Sequence, residues 1–316
     1  MRLEDQPSAI TPNQLLQETA DRLRQAGVER SYWTAQQLMA HRMEISLMTL
    51  MVDPCLLDRK APILSRQGQI HLRQDAANRA LGMPLQYILR KAPFYGRDFE
   101  VGPGVFIPRP ETEVLIETTL ELIRGILRAQ EGVQVEAADT HAHTHTRTHA
   151  LTVLDVGTGS GAIAVTLGAE QPGLEIHAIE CSEQAIHFAR RNAARFHVPV
   201  HFQVGEFEAA PFPNNVELIA ANLPYLDPGE SVRWPRELRW EPRLALDGGQ
   251  AGGTEYLKLL IDRAAEALTE NGRLVLEIGE EQVKILHEII AESSFKLERV
   301  VQDLNHRDRV VVLCKV

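Results

Sequence analysis

The stretch that decides the fold is LDVGTGSGA, residues 154–162, in which an apolar segment runs directly into three glycines. A strand, a glycine-rich turn and a helix in this order are typical of the ligand-binding start of an open parallel α/β sheet. Glycine permits the tight turn and lets a ligand approach the bare backbone. From Leu151 onward, strand-like and helix-like segments alternate, which predicts a mostly parallel sheet.

The predicted sheet has seven strands. They cover 151–156, 175–180, 199–204, 216–221, 272–278, 295–301 and 309–315, with helices at about 160–170, 183–196, 254–269 and 280–292. The linker between the last two strands, residues 302–308, is too short for the crossover that parallel neighbours need. The sequence therefore predicts an α/β, Rossmann-like fold whose last strand is antiparallel.

Residues 1–82 are predicted to form a separate helical bundle domain. Thr11 followed by Pro12 is typical of a helix start, because proline lacks only an amide hydrogen that would be unpaired there. Further helices are predicted at 31–43 and about 65–81, each with apolar residues at helical spacing.

Two segments outside these domains differ in composition. Residues 83–110 contain Gly/Pro-rich breaks around an aromatic stretch, which predicts a hairpin or strap that leads into the sheet domain, residues 111–316. The His/Thr-rich insertion, residues 137–150, holds four of the twelve histidines. It is either a metal-binding tract or a solvated linker, and the linker is favoured because alternating His and Thr offer no apolar face. No metal ligand is predicted.

The composition excludes several classes of protein. Cys55, Cys181 and Cys314 are far apart and lack C-x-x-C spacing, which argues against disulfides or a cysteine zinc site and favours the reducing cytoplasm. The sequence has no run of about 18 apolar residues, so no membrane-spanning helix is predicted. The acid-containing start, MRLEDQPSAITPNQ, does not resemble a secretory leader. A cytoplasmic protein without a membrane partner is expected.

The charge argues against a protein that grips long nucleic acid, because phosphate binding needs clustered Lys and Arg. The net charge is −10, of which residues 1–90 carry +2 (eleven basic and nine acidic side chains) and the remainder −12. No direct nucleic acid partner is expected.

The glycine turn predicts a nucleoside-binding loop. Its residues are Gly157, Thr158, Gly159, Ser160 and Gly161. Glu180 ends the second predicted strand 19 residues after Gly161, where a carboxylate can accept hydrogen bonds from both ribose hydroxyls. With Ala162, the turn also satisfies the dinucleotide pattern G-x-G-x-x-[GA], so the loop alone leaves NAD binding open.

A second motif, Asn222-Leu223-Pro224-Tyr225, follows the fourth predicted strand at the edge where such sheets bind ligands. The Asn222 side-chain oxygen and a following backbone carbonyl can each accept an N–H of a planar nitrogen, and Tyr225 can stack on the flat group. The alternative is a simple strand-ending turn, since Asn and Pro favour turns. Together with the glycine loop and Glu180, the tetrapeptide favours methyl transfer to a planar nitrogen.

On these motifs the chain resembles the PrmC/HemK family, the peptide chain release factor glutamine methyltransferases, from about residue 10 to the end. The resemblance rests on PLQYILRKAPFYGRDFEVGPGVFIPRPETE (84–113), VLDVGTGSGAIAV (153–165) and NLPY (222–225), with weaker support from RWEPRLALDGG (239–249) and DLNHRDRVV (303–311). The first stretch discriminates, because the other two recur among methyltransferases of other substrates.

The resemblance implies a methyltransferase sheet that uses S-adenosyl-L-methionine to methylate the glutamine of the Gly-Gly-Gln motif in bacterial class 1 release factors. By position, the implied cofactor-binding residues are those of the 157–161 loop, Glu180, Glu206, Phe207 and Asn222. Asn222, Leu223, Pro224 and Tyr225 would hold the target glutamine, and Asn222, Pro224 and Tyr225 would be catalytic. Ile107 to Glu113 would line the channel, and the helical domain would recognise the release factor.

Leu223 departs from the family's usual NPPY turn, in which proline stands at this position. The backbone carbonyl is retained, and the residue before Pro224 is held extended, so activity is expected to persist. Other functions stay open: a ribosomal-protein glutamine methyltransferase, a nucleic acid adenine-amine methyltransferase, and a binding-only protein or oxidoreductase.

Overall fold

The computed structural model describes residues 10–57, 64–137 and 150–316. Most of the His/Thr-rich insertion, residues 138–149, lies outside the described residues. The chain divides into two compact units. One comprises Met1–Lys91 with Pro235–Trp240, and the other Ala92–Trp234 with Glu241–Val316.

The first unit is a bundle of helices. They are α1 (Pro12–Gln25), α2 (Ser31–Arg42), α3 (Leu47–Val52), α4 (Pro54–Leu57), α5 (Arg66–Ala80) and α6 (Leu85–Leu89). Thr11 caps α1 reciprocally with Gln14, because each backbone N–H donates to the other residue's side chain. The sequence suggested β-like structure after residue 83, but α6 is helical and ends where Arg90 turns left-handed, with φ 57°.

The bundle is held by an apolar core and by ion pairs. Leu16, Leu23, Leu38 and Leu72 are fully buried at its centre. Arg79 donates to Glu237 at 2.9 Å, which ties the segment Pro235–Trp240 to this unit. No local pattern reveals such an attachment, because the two residues are far apart in sequence.

The second unit is built on a seven-stranded sheet. At the start of this unit, β1 (Lys91–Phe94) and β2 (Arg97–Glu100) form a separate two-stranded hairpin. The main strands are β3 (Thr152–Val156), β4 (Glu175–Glu180), β5 (His201–Val204), β6 (Val216–Ala221), β7 (Leu268–Glu277), β8 (Phe295–Gln302) and β9 (Asp308–Lys315). The helices are α7 (Glu113–Ala137), α8 (Ala162–Glu170), α9 (Glu183–Arg195), α10 (Gln250–Gly253), α11 (Glu255–Ala267) and α12 (Gln282–Ala291).

The strand order is β5-β4-β3-β6-β7-β9-β8, with β9 antiparallel to both of its neighbours. This confirms the predicted fold class. Most predicted strand and helix ends shift by one or two residues. The largest difference is at β7, which was predicted to begin at residue 272 but begins at Leu268, where Leu268 already pairs with Val216 ahead of an irregularity in the ladder.

The strand residues alternate between two apolar layers. Val153 and Leu218 belong to one core cluster, whereas Leu154 and Ile219 belong to the other. Helices therefore cover both faces, as a parallel sheet requires. The chain reverses its direction of winding between β3 and β6, and the carboxyl ends of these two strands form the topological switch point where open sheets bind ligands.

Across the described ranges, no helix combines the length and apolarity needed to cross a membrane.

Candidate active site

The glycine loop is a tight turn at the carboxyl end of β3. The backbone N–H groups of Gly157 and Thr158 both donate to the Ile179 carbonyl, at 2.9 and 3.2 Å, which fixes the loop against β4. Gly157, Gly159 and Gly161 have φ angles of 74°, 55° and 81°. Glycine is needed at these positions because L residues rarely adopt such angles.

A buried carboxylate supports the loop from below. Asp155 Oδ2 accepts from the Thr158 hydroxyl at 2.6 Å and from the Ala164 backbone N–H at 3.0 Å. Burial raises the pKa of Asp155 to about 7, although the hydrogen bonds from Thr158 and Ala164 oppose the rise. Asp155 therefore holds the turn between β3 and α8.

The loop and Glu180 suit a ribose-bearing ligand. A Cβ at Gly159 would meet no atom within 4 Å, so this part of the loop faces open space. Glu180, at the end of β4, accepts from the Gly159 N–H through Oε2 and from the Ser182 N–H through Oε1, both at 2.9 Å. Oε1 also accepts from the Cys181 thiol at 3.4 Å, whereas Oε2 has a second lone pair and retains capacity for a ligand hydroxyl. The open glycine loop and the Glu180 carboxylate therefore fit a nucleoside.

The predicted adenine-contacting residues lie beside Glu180. The Gly205 N–H donates to the Glu180 carbonyl at 3.0 Å, which places the turn after β5 next to the end of β4. Phe207 is 9% exposed and packs edge-on against Tyr256, with ring centroids 6.3 Å apart. Glu206 is exposed, and its carbonyl accepts from the backbone N–H groups of Ala209 and Ala210. The adenine contact itself stays a prediction.

The NLPY turn lies against the glycine loop. Val156 of β3 pairs with Ala221 of β6, so Gly157 and Asn222 follow side by side on neighbouring strands. A Cβ at Gly157 would lie 3.0 Å from Leu223 Cδ2. Leu223 thus covers the loop so closely that a Cβ at Gly157 would require the Leu223 side chain to shift.

The Asn222 amide is held by a residue from the segment before α7. Asn222 Nδ2 donates to the hydroxyl of Thr112 at 3.0 Å. Thr112 is 3% exposed and ends a short 3-10 helix, Pro110–Thr112. Among the described residues, Asn222 Oδ1 has no hydrogen-bond partner. The side chain therefore presents an acceptor oxygen next to the glycine loop.

A second buried carboxylate lies behind the NLPY turn. Glu277, at the end of β7, accepts from the Tyr225 hydroxyl at 3.4 Å. Burial raises the pKa of Glu277 to about 7, whereas the nearby Thr112 hydroxyl and the charge of Arg309 oppose the rise. Burial and the nearby charge of Glu277 also raise the pKa of the Tyr225 phenol. The tyrosine hydroxyl is thus directed at Glu277.

Glu241 anchors the segment that precedes α7. Its side chain is 1% exposed. It accepts from the Ile107 backbone N–H at 3.0 Å and from the Arg109 guanidinium. This charge-assisted pairing positions the residues between β2 and α7, including Thr112, beside Asn222.

The structure brings the predicted loop, Glu180 and the NLPY turn together at one sheet edge. Sequence reasoning did not single out Thr112, Glu241 and Glu277. Glu277 carried a usable signal, because an acid at the carboxyl end of an apolar strand lies at the ligand-binding edge. Thr112 lies within the FIPRPETE stretch but had no individual role, and Glu241 carried no local signal, because its partners are more than 130 positions away.

Comparison with known proteins identifies both parts of the chain. Residues 147–308 match the family model of a methyltransferase domain, and residues 14–89 match that of the PrmC N-terminal domain. The release factor glutamine methyltransferase of Koribacter versatilis is 38% identical over 252 residues, which cover 79% of this chain and 81% of that protein. The protein of the same name from Thermodesulfovibrio yellowstonii is 33% identical, over 89% and 91%.

Among solved structures, a methyltransferase from Pyrococcus furiosus aligns with a TM-score of 0.47 at 14% identity. The alignment covers 79% of this chain and 98% of that one.

Proposed function

The chain belongs to the release factor glutamine methyltransferase family, and we propose that it methylates a glutamine side chain of a peptide chain release factor. The proposed target is the side-chain amide of the glutamine in the Gly-Gly-Gln motif of bacterial class 1 release factors. The observation that carries this proposal is the acceptor oxygen of Asn222, held in place by Thr112 beside the glycine loop.

The cofactor is S-adenosylmethionine, which supplies an electrophilic sulfonium methyl group when bound. The residues proposed to hold it are the 157–161 loop, Glu180, Glu206 and Phe207. Glu180 is suited to the ribose, because its carboxylate is already oriented by the Gly159 and Ser182 N–H groups and Oε2 keeps a free lone pair.

The target nitrogen needs positioning more than it needs a base. A carboxamide nitrogen is a poor nucleophile, since its lone pair is delocalised into the carbonyl. Asn222 Oδ1 accepts one N–H of the substrate amide, and the backbone carbonyl of Leu223 accepts the other. Both contacts hold the face of the amide toward the methyl group. As the N–C bond forms, the methyl–sulfur bond would break and S-adenosylhomocysteine would be the leaving group; the nitrogen's proton would then pass to water.

The helical unit is proposed to recognise the protein substrate. It exposes large apolar side chains, with Met48 66%, Met51 54% and Val52 67% exposed, all on α3. Exposed apolar side chains that cluster on one short helix are typical of protein-binding surfaces. This unit also carries a slightly positive charge, in contrast to the acidic remainder.

Mass spectrometry of purified substrates tests the function directly. The protein is incubated with S-adenosylmethionine and either a release factor, a ribosomal protein mixture or adenine-containing DNA. The expected result is one added methyl on the glutamine of the release factor's Gly-Gly-Gln motif. A release factor with Gly-Gly-Ala at this motif is the matched control. Methylation of another substrate with none on the release factor would refute the proposal.

A further inference from the structure

One buried asparagine of α9 joins the glycine loop to the end of β2. Asn192 is 0% exposed. Its Oδ1 accepts from the Glu100 backbone N–H at 2.7 Å, and its Nδ2 donates to the Glu100 carbonyl at 3.0 Å and to the Ser160 carbonyl at 2.8 Å. Nδ2 carries two hydrogens, so both are used. A single side-chain amide therefore holds two backbone segments that are 60 positions apart in the chain.

The three hydrogen bonds allow one orientation of the Asn192 amide. The Glu100 N–H donates and the two carbonyls accept, so a half-turn of the amide would set donor against donor and acceptor against acceptor. The amide meets both the N–H and the carbonyl of Glu100, as a residue of a neighbouring strand does. The link is therefore directional and has one arrangement.

The Ser160 carbonyl depends on this donor. Ser160 is 2% exposed and lies just before α8. The N–H four residues further on, that of Ala164, donates to Asp155 Oδ2 at 3.0 Å. A buried carbonyl that loses its donor is destabilising. Asn192 thus supplies the hydrogen bond that fixes the loop at the point where α8 begins.

One face of α9 also holds the residues that follow β2. Gln184 Nε2 donates to the Pro103 carbonyl at 2.8 Å. Gln184 and Asn192 are eight positions apart, a spacing that places both on the same face of a helix. Residues 100–103 are therefore held along α9 at both ends, and the end at Glu100 shares the Asn192 amide with the glycine loop.

We propose that Asn192 is a positioning residue for cofactor binding, because its amide holds the Ser160 carbonyl of the glycine loop to the end of β2. The loop is thereby ordered before the cofactor binds, and its order is linked to that of residues 100–103. The inference rests on the proposed role of the glycine loop in binding S-adenosylmethionine. It does not depend on which molecule receives the methyl group.

Calorimetry with S-adenosylhomocysteine tests the effect on the loop. Asn192→Ala removes all three hydrogen bonds. Asn192→Asp has nearly the same shape and keeps an acceptor for the Glu100 N–H, but an ionised carboxylate donates to neither carbonyl. Each variant should weaken binding about tenfold, because the ligand then has to order the loop.

Arg191→Gln is the matched control. Arg191 precedes Asn192 on α9 and pairs with the Glu100 carboxylate at 2.7 Å, through a side chain that is 54% exposed. Its replacement removes a contact between the same two segments without touching the Asn192 amide. The affinity of Arg191→Gln for S-adenosylhomocysteine should stay within about twofold of wild type.

Hydrogen exchange separates positioning from a merely structural role. In the wild type, S-adenosylhomocysteine should slow backbone exchange both in the loop and in residues 97–105, because the Asn192 amide links the two segments. In Asn192→Asp the slowing should persist in the loop and be lost from residues 97–105, whereas Arg191→Gln should keep both. A merely structural Asn192 would speed exchange in the free variant and leave the response of residues 97–105 to the ligand unchanged.

The wild-type measurement requires no variant to fold. If S-adenosylhomocysteine binds the wild type and leaves the exchange of residues 97–105 unchanged, the proposal is overturned. A folded Asn192→Asp protein with the wild-type Kd would overturn it as well. Both measurements omit the protein substrate. Linked exchange in a protein that methylates no release factor would support the inference and refute the proposed substrate.

Discussion

The free energy of unfolding of Glu277→Gln, relative to that of the wild type, should increase as the pH rises. The pKa of Glu277 is raised from 4.5 to about 7, with burial as the largest cause. Between these two values the folded protein binds more protons than the unfolded chain. The free energy of unfolding of the wild type therefore falls as the pH rises through this interval and stays constant above it. Glutamine does not titrate and lacks this loss.

The magnitude follows from the two pKa values. A difference of one in pKa corresponds to about 1.4 kcal/mol, so the interval from 4.5 to about 7 corresponds to about 3 kcal/mol in total. Most of this, roughly 2–3 kcal/mol, falls between pH 5 and pH 8. The unfolding free energy of Glu277→Gln minus that of the wild type should grow by this amount over that range. Any packing or hydrogen-bond change that is independent of pH cancels in the comparison.

Urea titrations at the two pH values measure this difference. Pulsed hydrogen exchange of peptides from β6 and β7 follows the sheet unit separately from the helical unit. Glu288→Gln is the matched control, because Glu288 is exposed on α12 and its carboxylate is solvated in both states. If the unfolding free energy of Glu277→Gln minus that of the wild type does not change with pH, burial does not govern the ionisation of Glu277. If this difference becomes smaller as the pH rises, the charge of Arg309 outweighs burial.

Three further predictions concern the proposed ligands. Glu180→Ala should weaken S-adenosylhomocysteine binding ten- to hundredfold, from the loss of about 1.5–3 kcal/mol of charge-assisted hydrogen bonds; calorimetry that finds an unchanged Kd would remove Glu180 from the site. Asn222→Ala should lower the single-turnover rate about 10²-fold with cofactor affinity within about tenfold, and Asn222→Asp should be intermediate or comparably poor; near-wild-type turnover per folded molecule would move the role elsewhere. The double variant Met48→Glu, Met51→Glu places charge on side chains that are 66% and 54% exposed, so the fold should tolerate it. Its KM for the intact release factor should rise about tenfold while methylation of a short Gly-Gly-Gln peptide is unchanged, and an equal effect on both substrates would contradict substrate recognition by the helical unit.

Local patterns predicted the sheet well because they follow directly from chain geometry. β4 and β6 begin and end at the predicted residues, since apolar runs bounded by glycine or polar residues mark buried parallel strands. The antiparallel β9 followed from the short linker before it. The glycine loop was equally predictable, because only glycine adopts its three positive φ angles at little cost.

The supporting residues of the site could not be found in this way. Thr112 and Asn222 are 110 positions apart, and their contact depends on how the segment before α7 packs. The local pattern marks Glu277 as an acid at the ligand-binding edge, but its raised pKa comes from tertiary burial, which no local pattern shows. The short helix α6 was missed because proline and aromatic residues around it dominate the local pattern.

The position of β9 has a consequence for the order in which the protein can assemble during synthesis. β9 follows β8 in the chain but lies between β7 and β8 in the sheet. β8 therefore leaves the ribosome before the strand that joins it to the sheet exists, and the edge of β7 stays unpaired until β9 has emerged. An open apolar edge is a template for pairing with other nascent chains. Ribosome-bound chains that stop just before β9 should accordingly be the ones that depend most on chaperones.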